Sequence, residues 1–402
     1  MPATMTTVSA ILKEIYEGQV QEQLNNDVVA LRRIERSSEG ITNEVGGRYV
    51  TFPIHTKRNS GIGARNELEA LPTAGQQGTA AARVNLKYLY GVVRMSGQTL
   101  QLADKNFQAF SSALDLEMNG IKADLAKDLN RQVYGNGTGV LATANAIGTG
   151  SVGANPFNTA NNNQIKYLEI GMQVDVYASD LTTLKASNRQ ITAINTSTFQ
   201  VTFDGASQST AIGDVLVRTG SISREITGLG ALVNNTTLFN INPASEPKWA
   251  SVLDSNSGTN RALSEGLMIL NVDRCRNNGG SPSVMFSGLG VRRAYFNLLS
   301  QQRRYQGTTE FAGGFSGLAF TTDKGDIPFV VDVDCPDNTI YGVDEKNVKV
   351  YREEDFTFMD YDGSKWQRVI GFDAYEATLF SYQELGIHRR NTHFKISDIT
   401  EG

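Results

Sequence analysis

The chain has 402 residues, of which 20% are charged and 40% are hydrophobic, and its formal net charge is -5 at pH 7. This length and composition are typical of a folded protein with two or three domains. The negative net charge argues against a protein that binds nucleic acid tightly by neutralising phosphates, although a surface that only faces nucleic acid is compatible with it.

The first residues, 1–7, contain neither a basic region nor an apolar stretch, so we expect no signal peptide. No apolar run approaches the roughly 18 residues that a membrane helix needs. Cys275 and Cys335, the only cysteines, have no metal-binding spacing, which favours buried thiols in a reducing compartment. We therefore expect a protein that is made in the cytoplasm and used there or in particles assembled there.

Residues 8–36 carry apolar side chains close to a helical period. These residues are Val8, Ile11, Leu12, Ile15, Val20, Leu24, Val28, Leu31 and Ile34. Only one stripe is apolar. The sequence therefore predicts either a helix that packs on the surface of its own chain or an N-terminal arm that docks on a neighbour.

Residues 46–97 are the most informative part of the chain. Strand-forming runs at 48–54 and 83–93 flank about 28 residues rich in Gly, Ala, Asn, Gln and Thr. A lone two-stranded ribbon is only marginally stable in water, and so long a loop is uncommon within a compact domain. We therefore predict an extended arm that lies on another molecule, and hence a subunit of an assembly.

A long amphipathic helix is predicted from residue 104 to 133. Its apolar residues recur every three or four positions, which places them on one face. They are Phe110, Leu114, Met118, Ile121, Leu125 and Leu129. At 1.5 Å per residue the helix is about 40 Å long, and the Gly-rich run Gly135–Gly139 ends it.

Residues 140–165 have few charges and many small residues, which indicates a linker. Alternating segments then predict a small β-barrel or sandwich inserted into the chain. Its strands are expected at 172–177, 190–194, 199–203 and 214–218. After residue 228 the expected elements mix helices (260–277, 291–304) with strands (283–287, 327–333, 339–343 and several over 348–396). This order favours an α+β architecture over a regular βαβ repeat.

Motifs for catalysis or ligand binding are weak. Gly288-Leu289-Gly290 follows a strand and opens a helix, but Arg293 replaces the third glycine of a dinucleotide fingerprint, so a simple strand-to-helix turn is favoured. Residues 332–338 resemble the start of a calcium loop but lack its glycine and its final glutamate, which favours a turn with solvated acids. We therefore expect no catalytic, cofactor-binding or metal-binding residues.

The other charged clusters are compatible with ordinary surface charge. The acid-rich stretch at 353–362 is by default a charged face. The pairs Arg292–Arg293, Arg303–Arg304 and Arg389–Arg390 are either solvated, or meet acidic neighbours across subunit contacts, or face nucleic acid.

The order of these parts resembles the major capsid proteins of tailed bacteriophages, which have the Hong Kong 97 capsid fold. The resemblance rests on the arm, the hairpin ending at Lys87–Gly91, the long helix closing on Tyr134–Gly139, and the α+β remainder. It covers nearly the whole chain apart from the predicted inserted module. It implies an α+β, Hong Kong 97-like fold with an N-terminal arm, an extended β-hairpin loop, a long spine helix, an axial domain and a small inserted all-β module.

The resemblance also implies a division of the chain. Its expected parts are an N-terminal arm (1–45), the extended loop (46–97), a peripheral domain with the spine helix (98–164), the inserted β module (165–222), the axial domain (223–345), and return strands of the peripheral domain with the C-terminus (346–402).

The function implied is that of a non-enzymatic major capsid protein. Such a protein self-assembles as pentamers and hexamers into an icosahedral or prolate head that encloses double-stranded DNA. The residues expected at contacts between subunits are Arg48, Tyr49, Phe52, Lys57, Arg65, Glu67, Tyr88, Tyr90, Arg389 and Arg390. Lys57 is the only lysine near the loop tip; with no partner identified, the covalent cross-link known in this family is not expected.

Partners and location follow from the same resemblance. We expect no cofactor and no membrane, homo-oligomers in the virion after assembly in the host cytoplasm, and packaged DNA facing the inner wall without sequence-specific binding. A portal, a possible decoration protein and a separate scaffolding protein are expected, the last because no scaffolding segment precedes the arm. An encapsulin-type bacterial shell and an α+β metabolic enzyme are the alternatives.

Overall fold

The computed structural model describes residues 28–37, 49–98, 107–145, 148–151, 157–158, 162–205, 209–303, 319–322, 325–360 and 363–402. The helices are α1 (Ala30–Arg33), α2 (Phe107–Tyr134), α3 (Asn162–Ile165), α4 (Leu229–Leu232), α5 (Glu265–Asn277) and α6 (Leu289–Arg303). Short 3-10 turns span Pro247–Trp249, Glu345–Asn347 and Arg390–Thr392.

The strands, in chain order, are β1 (Glu35–Ser37), β2 (Tyr49–Lys57), β3 (Gly78–Asn85), β4 (Lys87–Ser96), β5 (Val140–Thr143), β6 (Gly148–Ser151), β7 (Phe157–Asn158), β8 (Gln173–Tyr177), β9 (Leu184–Asn195), β10 (Gln200–Phe203), β11 (Ser209–Thr210), β12 (Val215–Arg218), β13 (Val252–Asp254), β14 (Val284–Ser287), β15 (Ala319–Thr322), β16 (Gly325–Val331), β17 (Ile340–Val343), β18 (Val348–Phe358), β19 (Gln367–Arg368), β20 (Ala374–Ile387) and β21 (Phe394–Ile396). Mixed helices and strands of this kind confirm the mixed α/β class.

Strand β20 is the centre of the first sheet. It pairs with β18 and β19 along one edge and with β4 along the other, in both cases antiparallel, and β1 adds to β18 in parallel. The long helix α2 lies on this sheet, where Ile121 and Leu125 pack against the buried residues Ala377 and Leu379. The predicted periodicity of 104–133 thus corresponds to one real helix over Phe107–Tyr134, of which Met118, Ile121 and Leu125 are partly buried against the sheet.

The predicted inserted module has its own sheet, in the order β5-β12-β8-β9-β10-β7, and its own apolar core. All four strands predicted from alternation are present. The expected linker at 140–165 differs, because β5 pairs with β12 and buries Leu141 and Ala142 in the module's core. The module therefore begins near Val140, earlier than the expected residue 165.

The second large sheet runs β13-β21-β17-β14-β16-β15 and mixes parallel with antiparallel pairs. Its core includes Met268 and Val272 of α5, Tyr295 of α6, and Phe329 of β16. Helix α5 begins later than the predicted residue 260, at Glu265, because the Ser264 hydroxyl caps it by accepting the Leu267 N–H. The expected return segment 346–402 is divided, since β18 and β20 join the first sheet whereas β21 joins this one.

The second strand predicted within the arm, 83–93, is in fact two strands. Residues up to Asn85 belong to β3, which pairs only with β2 in a two-stranded ribbon. From Lys87 onward the chain enters β4 and the first sheet. The break falls at buried Leu86, whose side chain enters a small cluster with Val50, Val84 and Tyr351.

The N-terminal helix predicted over 8–36 lies mostly outside the described residues. Within them, α1 covers only Ala30–Arg33, and the prediction is wrong at Glu35 and Arg36, which belong to β1. Parallel pairing with β18 supplies the backbone partners that keep these two residues extended. Ala30, Leu31 and Ile34 are buried in the main core. In the part of the chain that the structure describes, no helix is long and apolar enough to cross a membrane.

Candidate functional site

The base of the β2–β3 ribbon is anchored on its own chain. The ring of Phe52 stacks on His388 with centroids 4.4 Å apart and planes 7° apart. Val50 and Val84 are buried beside Tyr351, and the Arg83 guanidinium lies 3.7 Å from the Tyr49 ring centroid. Phe52 therefore holds the ribbon to its own body, and Tyr49 holds the two strands of the ribbon together.

Lys57 stands at the end of the ribbon. Its Nζ lies 3.3 Å from Glu246 Oε1 of the same chain, and its side chain is 63% exposed. An exposed pair of this kind contributes at most about 1 kcal/mol. Lys57 is thus accessible and only weakly held.

Beyond Lys57 the chain forms a tip, residues 58–77, that carries exposed apolar side chains. Ile62 and Leu71 are each 85% exposed and Leu68 is fully exposed. Isolated exposed apolar residues are ordinary, but three within ten residues form an apolar patch of the kind that often marks a contact surface. Sequence reasoning missed these three residues, although their position between glycines and charged residues was visible.

The tip is locally built even though it is exposed. The Asn59 side chain donates to the Gly75 carbonyl (3.1 Å) and accepts the Gly61 N–H (2.7 Å). The two arms pass so closely at Gly61 and Gly75 that a Cβ on either would meet the opposite backbone within 3 Å. Small residues are therefore required at this crossing.

A turn closes the tip. The Asn66 N–H and side-chain amide both donate to the Glu69 carboxylate, and these bonds lower the pKa of Glu69. Arg65 donates to the Ala70 and Ala64 carbonyls. Leu68 takes a positive φ of 64°, which costs a non-glycine residue about 1 kcal/mol or more. The turn thus presents Leu68 outward at an energetic cost.

The predicted contact residues on β4 lie on the outer face of the first sheet. Tyr88 and Tyr90 are each about half exposed, and Tyr88 makes an edge contact with Tyr382, with ring centroids 4.9 Å apart. This aromatic face is available to a partner.

The two predicted arginines differ. Arg389 is exposed and donates to the Asn278 carbonyl at 3.1 Å. Arg390 is fully buried, and its guanidinium donates to the carbonyls of Ala231, Leu232 and Thr236 at 2.7–2.9 Å. Burial lowers the pKa of Arg390 to about 10. The structure thus places Arg390 inside the subunit, where it satisfies the carbonyls at the end of α4.

Two further predicted residues complete the set. Glu67 and Arg65 are both exposed on the tip, where Arg65 already holds the turn. Arg48 lies outside the described residues. The tip, the aromatic face of β4 and Arg389 are therefore separate surfaces of one chain rather than a single pocket.

A cleft separates β4 from the inserted module. Helix α2 forms its floor through Ile121 and Leu125, and residues 218–225 form the far wall. The cleft volume is about 1000 Å³. The module is fixed across it, because Arg131 pairs with Glu225 at 2.6 Å and Arg218 pairs with Asp128 at 3.4 Å.

The acidic turn at 332–338 is not solvated, and that prediction was wrong. Asp332 and Asp334 are buried, and both carboxylates accept the Asn130 side-chain amide. Asp332 also accepts the Ala30 N–H and the Tyr134 hydroxyl, each at 3.1 Å. The turn therefore joins α1 and α2 to the second sheet by buried hydrogen bonds.

The strand-to-helix turn at Gly288–Gly290 is confirmed as a packing feature. A Cβ on Gly290 would collide with the Glu401 carboxylate, and the Gly402 N–H donates to the Gly290 carbonyl at 3.1 Å. The chain's own residues thus fill the space that a dinucleotide pyrophosphate would need. Within the described ranges, no group of three or more His, Cys, Asp or Glu residues is arranged to hold a metal ion.

Comparison with known proteins gives a consistent result. Residues 208–400 match the family model of the SU10 major capsid protein. The chain is thus similar to phage major capsid proteins. This similarity supports a shell-forming structural protein over an enzyme.

Solved structures of phage capsid chains share the fold of this chain. It is similar to a chain of the cyanophage A-1(L) capsid asymmetric unit, with 12% identity and a TM-score of 0.62, over 99% of this chain and 100% of that one. It is also similar to a capsid chain of the native GTA particle computed with C5 symmetry, with 8% identity and a TM-score of 0.50, over 98% and 97% of the two chains. No curated protein matches it.

Proposed function

We propose that this chain is a tailed-phage major capsid protein that assembles as pentamers and hexamers into an icosahedral or prolate head around double-stranded DNA. We also propose that the tip 58–77 of each subunit lies on a neighbouring copy. The observation that carries this proposal is the tip itself. Its turn is built by Asn59, Arg65 and Asn66, yet it exposes Ile62, Leu68 and Leu71. A segment ordered around exposed apolar residues reaches its lowest free energy on another surface.

The chain divides, in this proposal, along Hong Kong 97 lines. Residues 1–45 are the N-terminal arm, and 46–97 contain the extended loop, whose projecting part is β2, the tip and β3. Helix α2 is the spine of a peripheral domain built on the first sheet. The second sheet with α5 and α6 is the axial domain that gathers around five- and six-fold axes. The β module projects outward, since an insertion is best tolerated at the surface.

Contacts between subunits involve the exposed members of the predicted set. These are Arg65 and Glu67 on the tip, Tyr88 and Tyr90 on β4, Lys57 and Arg389; Tyr49 and Phe52 contribute by holding the ribbon at its base. Contacts of this kind typically bury about 1,000–2,000 Å², and repetition around closed rings adds many modest energies.

A portal, a scaffolding protein and a decoration protein are the further partners proposed, with assembly in the host cytoplasm. Packaged DNA faces the inner wall without sequence-specific contacts, which suits the net charge of -5. We propose no covalent cross-link through Lys57, because no partner for its amine on a neighbouring copy is identified. Subunits that run as single bands after boiling in detergent would agree with this.

Electron microscopy of the purified protein tests the proposal. Wild-type chains, with scaffolding protein supplied where needed, should form closed shells. A variant with Ile62, Leu68 and Leu71 all replaced by Ser should stay unassembled, with a free energy of unfolding within about 0.5 kcal/mol of wild type, because these side chains touch little of their own body.

The matched control replaces Ile170, Leu184 and Ile212 on the module, which are also exposed, by Ser. This control should still assemble. Normal shells from the tip variant would contradict the proposal. Copurification of an enzyme as cargo would favour an encapsulin-type shell instead, and a small oligomer with turnover activity would favour an enzyme.

A further inference from the structure

Strand β4 has an edge that no described strand covers. One edge of its ten residues pairs with β20 over Ala374–Gln383 without any register shift. In the described part of the chain, no strand pairs with its other edge. At about 3.4 Å per residue this edge is roughly 34 Å long.

Proteins usually blunt such an edge, because its unpaired N–H and C=O groups invite another chain to add as a strand. Proline, a bulge and central charges are the common devices. Strand β4 contains no proline and no bulge, and its charges, Lys87 and Arg94, lie near the two ends. Arg94 is moreover paired with Glu376 on its own sheet at 2.7 Å. The free edge of β4 is thus regular and can accept an additional strand.

The cleft described above runs along this edge. Seven consecutive residues, Leu86–Val92, line the cleft. Because successive side chains of a strand point to opposite faces, both faces of β4 contribute to this lining. This is expected where the backbone edge of the strand forms one wall of the cleft. The floor offers the apolar side chains of Ile121 and Leu125. Its lining residues outside Leu86–Val92 carry five cationic and five anionic side chains, which balances the charge apart from Lys87.

The tip supplies a segment with matching properties. Residues 59–64 (Asn-Ser-Gly-Ile-Gly-Ala) carry no charge and no proline, and they belong to no strand and bend at Ser60. Six residues span about 20 Å in extended form, against roughly 24 Å for seven residues of β4. Alternation places Ser60, Ile62 and Ala64 on one face, so that Ile62 can meet the apolar floor.

We propose that residues 59–64 of one subunit add as an extra strand to the free edge of β4 in a second copy, with Ile62 directed toward Ile121 and Leu125. This inference rests on the proposed function and names the surface on which the tip lies. Backbone hydrogen bonds hold the added strand, and the single apolar anchor sets its register. The glycines on either side of Ile62 allow the incoming backbone to approach the cleft closely.

Disulfide trapping in assembled shells tests the inference. Two cysteine pairs, Ile62→Cys with Ile121→Cys and Ile62→Cys with Leu125→Cys, place the anchor opposite two successive positions of the floor. The control pair is Ile62→Cys with Ile212→Cys, which is more exposed and so favours random collision. Cys275 and Cys335 are buried, and burial raises the pKa of Cys275 to about 12, so neither reacts readily.

After mild oxidation, at least one floor pair should give intersubunit covalent ladders about tenfold more abundant than the control pair, because docking raises the local concentration of the two thiols. Each single-cysteine variant should give no ladder. If shells form but both floor pairs match the control, the inference is overturned while the proposed function stands. If wild-type chains form no shells at all, the proposed function itself fails.

Discussion

The guanidinium of Arg131 lies 2.6 Å from the carboxylate of Glu225, and both side chains are only 8% exposed. Arg131 is on the long helix and Glu225 follows the inserted module, so one buried pair joins the two. Burial raises the pKa of Glu225 above its ordinary value in spite of the attraction of Arg131. The negative charge of Asp128, which pairs with the same guanidinium, acts in the same direction as burial.

Replacing Arg131 by Met should therefore destabilise the chain by about 3–5 kcal/mol, because it leaves Glu225 buried without its charge partner. Equilibrium unfolding in urea measures this. Arg224→Met, an exposed arginine one residue from Glu225, is the control and should change stability by less than about 0.5 kcal/mol. Adding Glu225→Leu to Arg131→Met should recover much of the loss, whereas a purely additive loss would contradict the pairing.

Asn130 is fully buried and connects three parts of the chain. Its amide donates to Asp332 and Asp334, and its carbonyl oxygen accepts the Leu31 N–H at 3.3 Å. We expect Asn130→Ala to cost about 2–4 kcal/mol, since it strands a buried N–H and removes a donor from two buried carboxylates. Asn119→Ala, on an exposed position of the same helix, should be neutral or slightly stabilising. Equal effects from the two variants in thermal unfolding would argue against the network.

Substitutions at Leu68 distinguish the effect of its backbone strain on stability from the effect of its side chain on assembly. Because its φ is 64°, Leu68→Asn or Leu68→Gly should leave the subunit as stable as wild type or slightly more stable. Both should weaken assembly, because they remove the exposed apolar side chain. Light scattering during assembly, beside calorimetry of the unassembled subunit, measures the two effects. Faster assembly by either variant would show that Leu68 is not a contact residue.

The sequence predicted those features whose causes are local. The period of Phe110, Leu114 and Met118 sufficed for the long helix, and alternation sufficed for the module strands. It did not predict the burial of Asp332, because the partners of that carboxylate, Ala30, Asn130 and Tyr134, are some two hundred or more residues away in sequence. It also could not divide 83–93 at Leu86, since alternation continues through the break while the pairing partner changes from β2 to β20.

Part of the proposed contact surface was also predictable from the sequence, because its cause is local. The tip was identified because it cannot form a core of its own, which is a property of its composition. The internal role of Arg390 was not, because the three carbonyls that it satisfies belong to the distant segment 231–236. An arginine pair between a histidine and an asparagine carries no signal that one member is buried.

Glu384 should make the subunit less stable as the pH rises. It is buried on β20, where it accepts the N–H groups of Thr227 and Leu385, and burial raises its pKa to about 7. A raised carboxyl pKa contributes stability below the unfolded value near 4.5, and this contribution is lost as the pH passes through about 7. The loss is on the order of 3 kcal/mol. In urea unfolding between pH 4.5 and 7.5, Glu384→Gln should remove this contribution and so make the slope of stability against pH more positive; an unchanged slope would contradict the assignment.

His393 should act in the opposite direction. It is fully buried, its Nδ1 accepts the Asp344 N–H, and burial lowers its pKa to about 3. Because the unfolded imidazole is protonated below about 6.5, its stabilising contribution is present above that pH and is lost as the pH falls toward 3. Wild-type stability between pH 4.5 and 6.5 is then a balance of the two residues. His393→Asn, whose side-chain oxygen can still accept the Asp344 N–H, should leave the Glu384 decline uncompensated, so that stability falls more steeply with rising pH. Glu384→Gln should tilt the same curve upward. Parallel curves for the two variants would show that other groups set the pH dependence.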